Sequence, residues 1–223
     1  GITLDLARDL TVALVGESGS GKSTLLQIIN GLVRPDRGEV RVLGEAIDYQ
    51  NLPRLRRKMG YAVQGAGLFP HLTVRENVTL MARLEGWARY DIEQRLTHLL
   101  GLIELPLEFA DRFPHMLSGG QQQRVGLCRA MMLNPPLMLM DEPFSALDPI
   151  TREAMHKEFH RLQQAESRSI ILVTHDMSEA VKLASYLVIL KDGKVVQHGA
   201  MQSVRDAPAD EYVRQLFAGA SVP

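Results

Sequence analysis

The chain has 223 residues, enough to bury a sizeable core without the disulfides or metal sites that very small domains need. It carries 25 basic and 26 acidic residues, and this near-neutral balance argues against a general nucleic-acid binder. Cys128 is the only cysteine, which excludes an intramolecular disulfide and favours a reducing compartment, and no apolar run approaches the roughly 18 residues of a membrane-spanning helix.

Short apolar runs alternate with helical patterns along most of the chain, which predicts an α/β fold with a mainly parallel sheet. The predicted strands are Thr11–Val15, Tyr61–Val63, Leu137–Met140, Ile170–Val173 and Leu187–Leu190. The Asp-Gly pair at Asp192 and Gly193 predicts a two-residue hairpin turn, and another short hairpin is expected around Gly38–Ala46. These hairpins would form an antiparallel flank.

The first predicted strand runs into a glycine-rich segment that fits the phosphate-binding pattern G-x-x-x-x-G-K-[ST] without a gap. The segment comprises Gly16, Glu17, Ser18, Gly19, Ser20, Gly21, Lys22 and Ser23, and Thr24 follows in a predicted buried helix. Glycines allow backbone N–H groups to turn toward a phosphate, and the helix N-terminus adds positive potential. We therefore expect a nucleoside triphosphate here, with Lys22 at the β and γ phosphates and the Ser23 hydroxyl on Mg²⁺.

Between residues 70 and 135 strand-like runs vanish and helical spacing takes over, and we interpret this stretch as a helical lobe inserted into the α/β core. One helix predicted within it starts with Ser118, Gly119, Gly120 and Gln121. A serine hydroxyl and free N–H groups at a helix start offer hydrogen bonds to an anion. The sequence therefore predicts a second phosphate site.

The buried strand Leu137–Met140 ends in two acids, Asp141 and Glu142. Successive strand side chains point to opposite faces, so the two carboxylates should have different roles. We expect Asp141 to hold Mg²⁺ through water and Glu142 to act as the general base that polarises an attacking water. Pro143 disfavours helical backbone at the residue before it, which predicts an extended Glu142.

The run from Leu117 to Gln121, together with the phosphate loop, resembles the ATP-binding subunits of ABC transporters, and the likeness covers nearly the whole chain. It implies a P-loop NTPase fold with a RecA-like core over 1–69 and 130–205, a helical signature subdomain over 70–129 and a C-terminal helix over 206–218. It also implies ATP and Mg²⁺ as the bound species.

Three further residues are matched to roles by this resemblance. Gln64 is similar to the Q-loop glutamine that contacts Mg²⁺ and water, Asp148 to the D-loop aspartate at the dimer interface, and His175 to the switch histidine that contacts the γ phosphate. Members of the family usually carry an aromatic residue on a strand before the phosphate loop, and this residue stacks on adenine. Residues 1–15, which precede the loop here, contain no aromatic residue, so we expect weaker ATP binding by this chain.

The resemblance implies a head-to-tail dimer in which two ATP molecules lie between Gly16–Thr24 of one copy and Ser118–Gln121 of the other. Closure on ATP and opening after hydrolysis would move membrane-spanning permease subunits docked near Gln64–His71, and would indirectly serve a substrate-binding protein. The protein would be peripheral, on the cytoplasmic side of the cell membrane.

A finer likeness, in Leu68–His71, Pro114–His115 and Asp148–Arg152, points to importers of osmoprotectants such as glycine betaine, choline or carnitine. Two alternatives stay open: an importer of another small solute, and a soluble ABC ATPase that acts on nucleic acid or the ribosome. A GTPase is disfavoured because no asparagine is followed by the lysine of N-K-x-D, and a nucleotide kinase has no need for Ser118–Gln121.

Overall fold

The structure is a computed structural model that describes residues 1–165 and 168–219. The strands in these ranges are β1 (Thr11–Val15), β2 (Arg41–Val42), β3 (Glu45–Ala46), β4 (Met59–Ala62), β5 (Leu137–Asp141), β6 (Ser169–Val173), β7 (Tyr186–Lys191) and β8 (Lys194–Ala200). The α-helices are α1 (Lys22–Ile29), α2 (Leu52–Arg56), α3 (Val74–Leu84), α4 (Arg89–Leu102), α5 (Gly119–Met131), α6 (Pro149–Ala165), α7 (Met177–Leu183), α8 (Met201–Asp206) and α9 (Glu211–Ala218). Among these helices, none combines the length and the apolar character needed to cross a membrane.

The chain divides into two compact units. The first contains residues 1–56 and the described residues from 168 onward, with strands β1 to β3 and β6 to β8. The second contains residues 57–165, with strands β4 and β5 and helices α3 to α6. The limits of 70–129 expected for a signature subdomain stay a prediction.

In the first unit, β1 pairs in parallel with β6 on one side and with β7 on the other, and β8 pairs antiparallel with β7. Every residue of β1 is buried, as expected for a central strand covered on both faces. Asp192 and Gly193 have φ of 50° and 70°, the left-handed geometry that favours a two-residue hairpin. Both predicted hairpins are confirmed, since β2 and β3 also pair antiparallel.

In the second unit, β4 pairs in parallel with β5, and helix α5 packs closely against β4. A Cβ at Gly60 would lie 2.3 Å from the carbonyl oxygen of Ala130, so the missing side chain permits this approach. Residues 63–136, all of which the structure describes, form helices and turns without a strand. Their core is built from side chains of α3, α4 and α5, including Val78, Leu96, Leu99 and Val125.

The five predicted core strands are confirmed, with ends that differ by at most two residues from the sequence interpretation. The final helix expected over 206–218 corresponds mainly to α9, because the chain between α8 and α9 is not helical. Asp210 begins α9 as its N-cap, where its carboxylate accepts the N–H of Val213 at 2.9 Å. The α/β class with mainly parallel pairing is therefore confirmed.

Candidate nucleotide-binding site

The glycine-rich segment Gly16–Thr24, called the phosphate loop below, joins the carboxyl end of β1 to α1. Gly16, Gly19 and Gly21 have φ of 147°, 80° and 99°, in the region that side chains disfavour. A Cβ at Gly16 would also lie 2.0 Å from the carbonyl oxygen of Leu190. The backbone of this loop therefore requires the glycines of the motif.

Lys22 places a buried cation inside the phosphate loop. Its Nζ donates to the carbonyl oxygens of Gly16 and Glu17, both at 2.8 Å, and the residue is 7% exposed. The helix that begins at Lys22 has no side-chain cap, so its first N–H groups are oriented toward whatever lies at the loop. The cation supplies positive charge and the uncapped helix start supplies N–H donors, and a phosphate site needs both.

His175 lies at the same edge of the first unit's sheet as the phosphate loop. Leu14 on β1 is opposite Val173 on β6, so the residues that follow the two strands share one end of the sheet. The turn that carries His175 is fixed by Asp176, whose carboxylate accepts the N–H of Ser178 at 2.8 Å at the start of α7. The histidine is exposed at that edge.

Gln64 and Glu142 follow the paired strands β4 and β5 in the second unit. Ala62 lies opposite Met140, and the Gln64 amide Nε2 donates to Oε2 of Glu142 at 3.2 Å. Asp141, one residue before, is 7% exposed. The structure thus brings the glutamine, which only the family resemblance identified, into contact with the carboxylate expected to be the general base.

The predicted extended backbone at Glu142 is wrong. Glu142 has a φ of 48°, in the left-handed region, although Pro143 follows it. The Glu142 carbonyl accepts three hydrogen bonds, from Gln123 Nε2 at 2.9 Å, from Ser145 Oγ at 2.9 Å and from the Ser145 N–H at 3.3 Å. These contacts hold a backbone conformation that local preference alone disfavours.

Ser118 is the N-cap of α5, and it forms a capping box with Gln121. The Ser118 hydroxyl accepts the Gln121 N–H at 3.3 Å, and the Gln121 side chain accepts the Ser118 N–H at 2.9 Å. A hydroxyl that accepts one hydrogen bond still carries a proton that it can donate to a phosphate. Gly119 is exposed, and a Cβ there would meet no atom within 4 Å, so the backbone at this helix start is open to an approaching ligand.

Asp148 caps the start of α6. Its Oδ1 accepts the N–H groups of Ile150 and Thr151 at 3.1 and 3.0 Å. The hydrogen bond from the Thr151 side chain, followed by that from the Thr151 backbone, holds the pKa of Asp148 below its usual value. The carboxylate is therefore ionised at neutral pH, and its expected place in a dimer interface stays a prediction.

Tyr212, on the last helix, is a contact of the phosphate loop that the sequence interpretation missed. Its hydroxyl accepts the Glu17 N–H at 3.2 Å, and Lys191 Nζ lies 4.4 Å from the centroid of its ring. The hairpin turn adds a second contact, because the Gly193 N–H donates to the Ser20 carbonyl at 3.2 Å. The two contacts come from residues more than 170 positions later in the chain, and no local sequence signal marks them.

Arg129, on α5, contacts residues 64–67, the segment called the Q-loop below. Gly65, Ala66 and Gly67 all have positive φ, at 74°, 64° and 55°. The Arg129 guanidinium donates to the carbonyl of Gly67 at 2.7 Å and to that of Ala66 at 3.1 Å. Burial lowers the pKa of Arg129. The usual pKa of arginine is so high that the guanidinium nevertheless stays charged. A partly buried cation thus holds a loop in which Ala66, a residue other than glycine, adopts a positive φ.

Comparison with known proteins identifies the class that the motifs indicate. The ABC transporter family matches residues 1–145. The chain therefore belongs to the ABC transporter family, and the resemblance inferred from the phosphate loop and the Ser118 motif is confirmed.

Two curated relatives carry names of glycine betaine, carnitine or choline transport or uptake, in agreement with the finer likeness. The chain is 46% identical over 216 residues to the glycine betaine/carnitine/choline transport ATP-binding protein OpuCA of Bacillus subtilis, covering 97% of this chain and 57% of that protein. It is 48% identical over 204 residues to the glycine betaine uptake system ATP-binding protein YehX of Escherichia coli, covering 92% and 66%. The chain thus spans less than two thirds of the length of these relatives.

A solved structure with the same fold is the ATP-binding cassette MJ0796, a dimer in a post-hydrolysis state bound to ADP and Pi. It superposes with a TM-score of 0.83 at 36% identity, over 89% of this chain and 88% of that chain. The expected P-loop NTPase fold is therefore confirmed.

Proposed function

We propose that this chain binds and hydrolyses Mg-ATP in a head-to-tail dimer, and that the cycle powers a membrane importer of osmoprotectants such as glycine betaine, choline or carnitine. The phosphate loop carries the proposal, because its glycine geometry, the buried Lys22 cation and the uncapped start of α1 together suit a triphosphate. The transport functions for which the relatives are named support the transport role, and the dimeric cassette bound to ADP and Pi supports the ATPase.

In this proposal the phosphate loop cradles the triphosphate, and Lys22 exchanges its carbonyl partners for the β and γ phosphate oxygens. Charge-assisted hydrogen bonds to phosphate are stronger than those to a neutral carbonyl, so the exchange favours ATP. The start of α5, with Ser118–Gln121, binds the triphosphate held by the second copy. Its exposed Gly119 and the hydroxyl proton of Ser118 support that role. Asp148 would lie at the dimer interface, and His175 would contact the γ phosphate.

Mg²⁺ would be held by Ser23, Gln64 and Asp141. Their hydroxyl, amide and carboxylate oxygens are the hard ligands that this ion prefers, and Mg²⁺ commonly uses one or two carboxylates with phosphate oxygens and water. When bound, the ion would neutralise charge on the phosphates. Glu142 would act as the general base, and the Gln64 amide that contacts its carboxylate at 3.2 Å would help to orient it.

The permease subunits would dock near Gln64–His71, from the cytoplasmic face of the membrane, and a substrate-binding protein would be served indirectly. This segment offers an exposed aromatic side chain, since Phe69 is 42% exposed. Its backbone is nevertheless held in place by the buried Asn77, which accepts the Phe69 N–H at 2.8 Å and donates to three carbonyls. A rigid turn that presents an aromatic ring suits a protein interface.

ATP-dependent dimerisation of a Glu142→Gln variant tests the proposal, with molar mass followed by light scattering during size exclusion. Loss of a positioned base should reduce kcat by about 100- to 10,000-fold while ATP binding persists, so the variant should accumulate as an ATP-bound dimer. Glu108→Gln, at an exposed glutamate of the same unit, is the matched control and should hydrolyse ATP like the wild type. A wild type without Mg-dependent hydrolysis, or a variant that stays monomeric at saturating ATP, would contradict the proposal.

The transport role is tested separately by co-purification with permease subunits from a membrane extract. An importer of another small solute would also bind such subunits, and radiolabelled uptake of glycine betaine, choline and carnitine in reconstituted vesicles distinguishes the two. Stimulation of the ATPase by nucleic acid or ribosomes, with no binding to a permease, would instead favour a soluble ABC ATPase.

A further inference from the structure

Gln123 uses both ends of its side-chain amide to join α5 to the turn formed by residues 142–147. Its Nε2 donates to the Glu142 carbonyl at 2.9 Å, and its Oε1 accepts the Ala146 N–H at 3.1 Å. The side chain is 5% exposed, so water cannot readily replace either partner. Gln123 lies five positions after Ser118, on the first turns of the same helix.

The 142–147 turn needs an anchor from outside itself. Glu142 has a φ of 48°, a left-handed conformation that is unfavourable for a residue other than glycine and persists only when surrounding contacts hold it. The other two hydrogen bonds to its carbonyl come from Ser145, which belongs to the same turn and would move with it. Gln123 belongs to a helix that packs against β4, so its two hydrogen bonds fix the turn to a different element.

We propose that Gln123 is a positioning residue for Glu142: its amide sets the backbone conformation from which the carboxylate projects. The inference rests on the proposed role of Glu142 as the general base. Removal of the amide lets the Glu142 backbone relax and swings its carboxylate away from the water that it polarises. Displacements of about 1 Å in such a group can cost about 100-fold in rate.

The start of α5 packs tightly against the 142–147 turn, beside the hydrogen bonds of Gln123. A Cβ on Gly120, one helical turn earlier in α5, would lie 3.2 Å from Leu147 Cδ2 and 3.7 Å from the Ala146 carbonyl oxygen. The start of α5 therefore lies directly against the 142–147 turn. A shift of that turn would be transmitted to the Ser118–Gln121 helix start, and Gln123 is the hydrogen-bonded part of this contact.

Two substitutions separate the donor from the acceptor. Gln123→Met keeps a similar shape and removes both hydrogen bonds. Gln123→Glu keeps an acceptor for the Ala146 N–H but turns an oxygen toward the Glu142 carbonyl, so the donor is lost at neutral pH. Burial raises the pKa of the introduced carboxyl, and its protonation at lower pH restores a donor. Gln94→Glu, at an exposed position of α4, is the charge control.

The expected result is a fall in kcat of about 10- to 100-fold for Gln123→Met, with an ATP dissociation constant within about twofold of the wild type. The kcat of Gln123→Glu relative to the wild type should rise as pH falls from 8 to 6, whereas the Gln123→Met ratio should stay flat. Added to Glu142→Gln, Gln123→Met should cause little further loss, because both changes act on the same group. Thermal unfolding of each variant shows that assays are made on folded protein.

A folded Gln123→Met variant with wild-type kcat would overturn the inference, and so would independent, multiplicative losses in the double variant. If Gln123→Met does not fold, the pH ratio of Gln123→Glu decides, and a flat ratio overturns it. A wild type that hydrolyses no ATP would instead refute the proposed function, so the two failures are distinguishable.

Discussion

Removal of one oxygen atom, in Tyr212→Phe, tests whether the last helix orders the phosphate loop. The Tyr212 hydroxyl accepts the Glu17 N–H at 3.2 Å. A phenylalanine ring keeps the apolar packing and the cation–π contact with Lys191, so the change isolates the hydrogen bond. Burial raises the pKa of Tyr212, and the wild-type hydroxyl is therefore neutral throughout the usual assay range.

The magnitude follows from the exposure of the donor. One neutral hydrogen bond contributes about 0.5–1.5 kcal/mol, and Glu17 is exposed, so water can satisfy its N–H and the cost should lie at the lower end. A loss of about 0.5–1 kcal/mol lowers the Tm by about 1–4 °C in a chain of this size. If the loop must regain its order when ATP binds, the same free energy weakens the dissociation constant by about two- to fivefold.

Calorimetric titration of ATP in the presence of Mg²⁺ measures that change, and Tyr186→Phe is the matched control. The Tyr186 hydroxyl also makes one partly exposed hydrogen bond, to Nδ1 of His198 at 2.8 Å, but it does not touch the phosphate loop. Both variants should lose similar stability, while only Tyr212→Phe should bind ATP more weakly. Equal ATP affinity in the two variants would refute the reasoning that Tyr212 orders the loop.

Three further outcomes follow from single positions. Asn77→Ala should lower the free energy of unfolding by about 2–4 kcal/mol, because this buried amide bonds one N–H and three carbonyls of the preceding turn; chemical denaturation checks it against the exposed Asn51→Ala. Gly16→Ala should abolish ATP binding and lower the Tm more than Gly19→Ala, since the first meets a carbonyl oxygen at 2.0 Å and the second meets open space. Thiol labelling of Cys128, which is buried and whose pKa burial raises, should be at least about 100-fold slower in the native protein than in denaturant.

The parts of the fold that could be predicted are those that local sequence determines. Strand β1 is a run of apolar residues between turn signals, and its bounds were predicted without error. The phosphate loop was predictable because its glycines are required at particular φ values and leave a fixed pattern in the sequence. The hairpin at Asp192 and Gly193 follows from the same rule, since both residues adopt positive φ.

The parts that could not be predicted depend on contacts between distant residues. Pro143 predicts an extended Glu142, but hydrogen bonds from Gln123 and Ser145 hold the opposite conformation. Tyr212 reaches the phosphate loop across 195 positions, so nothing in the local pattern of α9 distinguishes it from other aromatic residues that fill a core. The sequence predicts which chemical groups form the candidate site, whereas the groups that hold them in place became visible only in the folded structure.

Helix α5 connects these findings, because it anchors two strained loops of the second unit through side chains on its own surface. Gln123 holds Glu142, and Arg129, further along the helix, holds the Q-loop at Ala66, a second residue other than glycine with positive φ, at 64°. A Cβ on Gly126, between them, would lie 2.9 Å from the Ala66 carbonyl oxygen, so this helix and the Q-loop are in direct backbone contact. Since interfaces packed this closely shift as units rather than deform, a displacement of α5 at its Ser118 end would move the supports of Gln64 and Glu142 together.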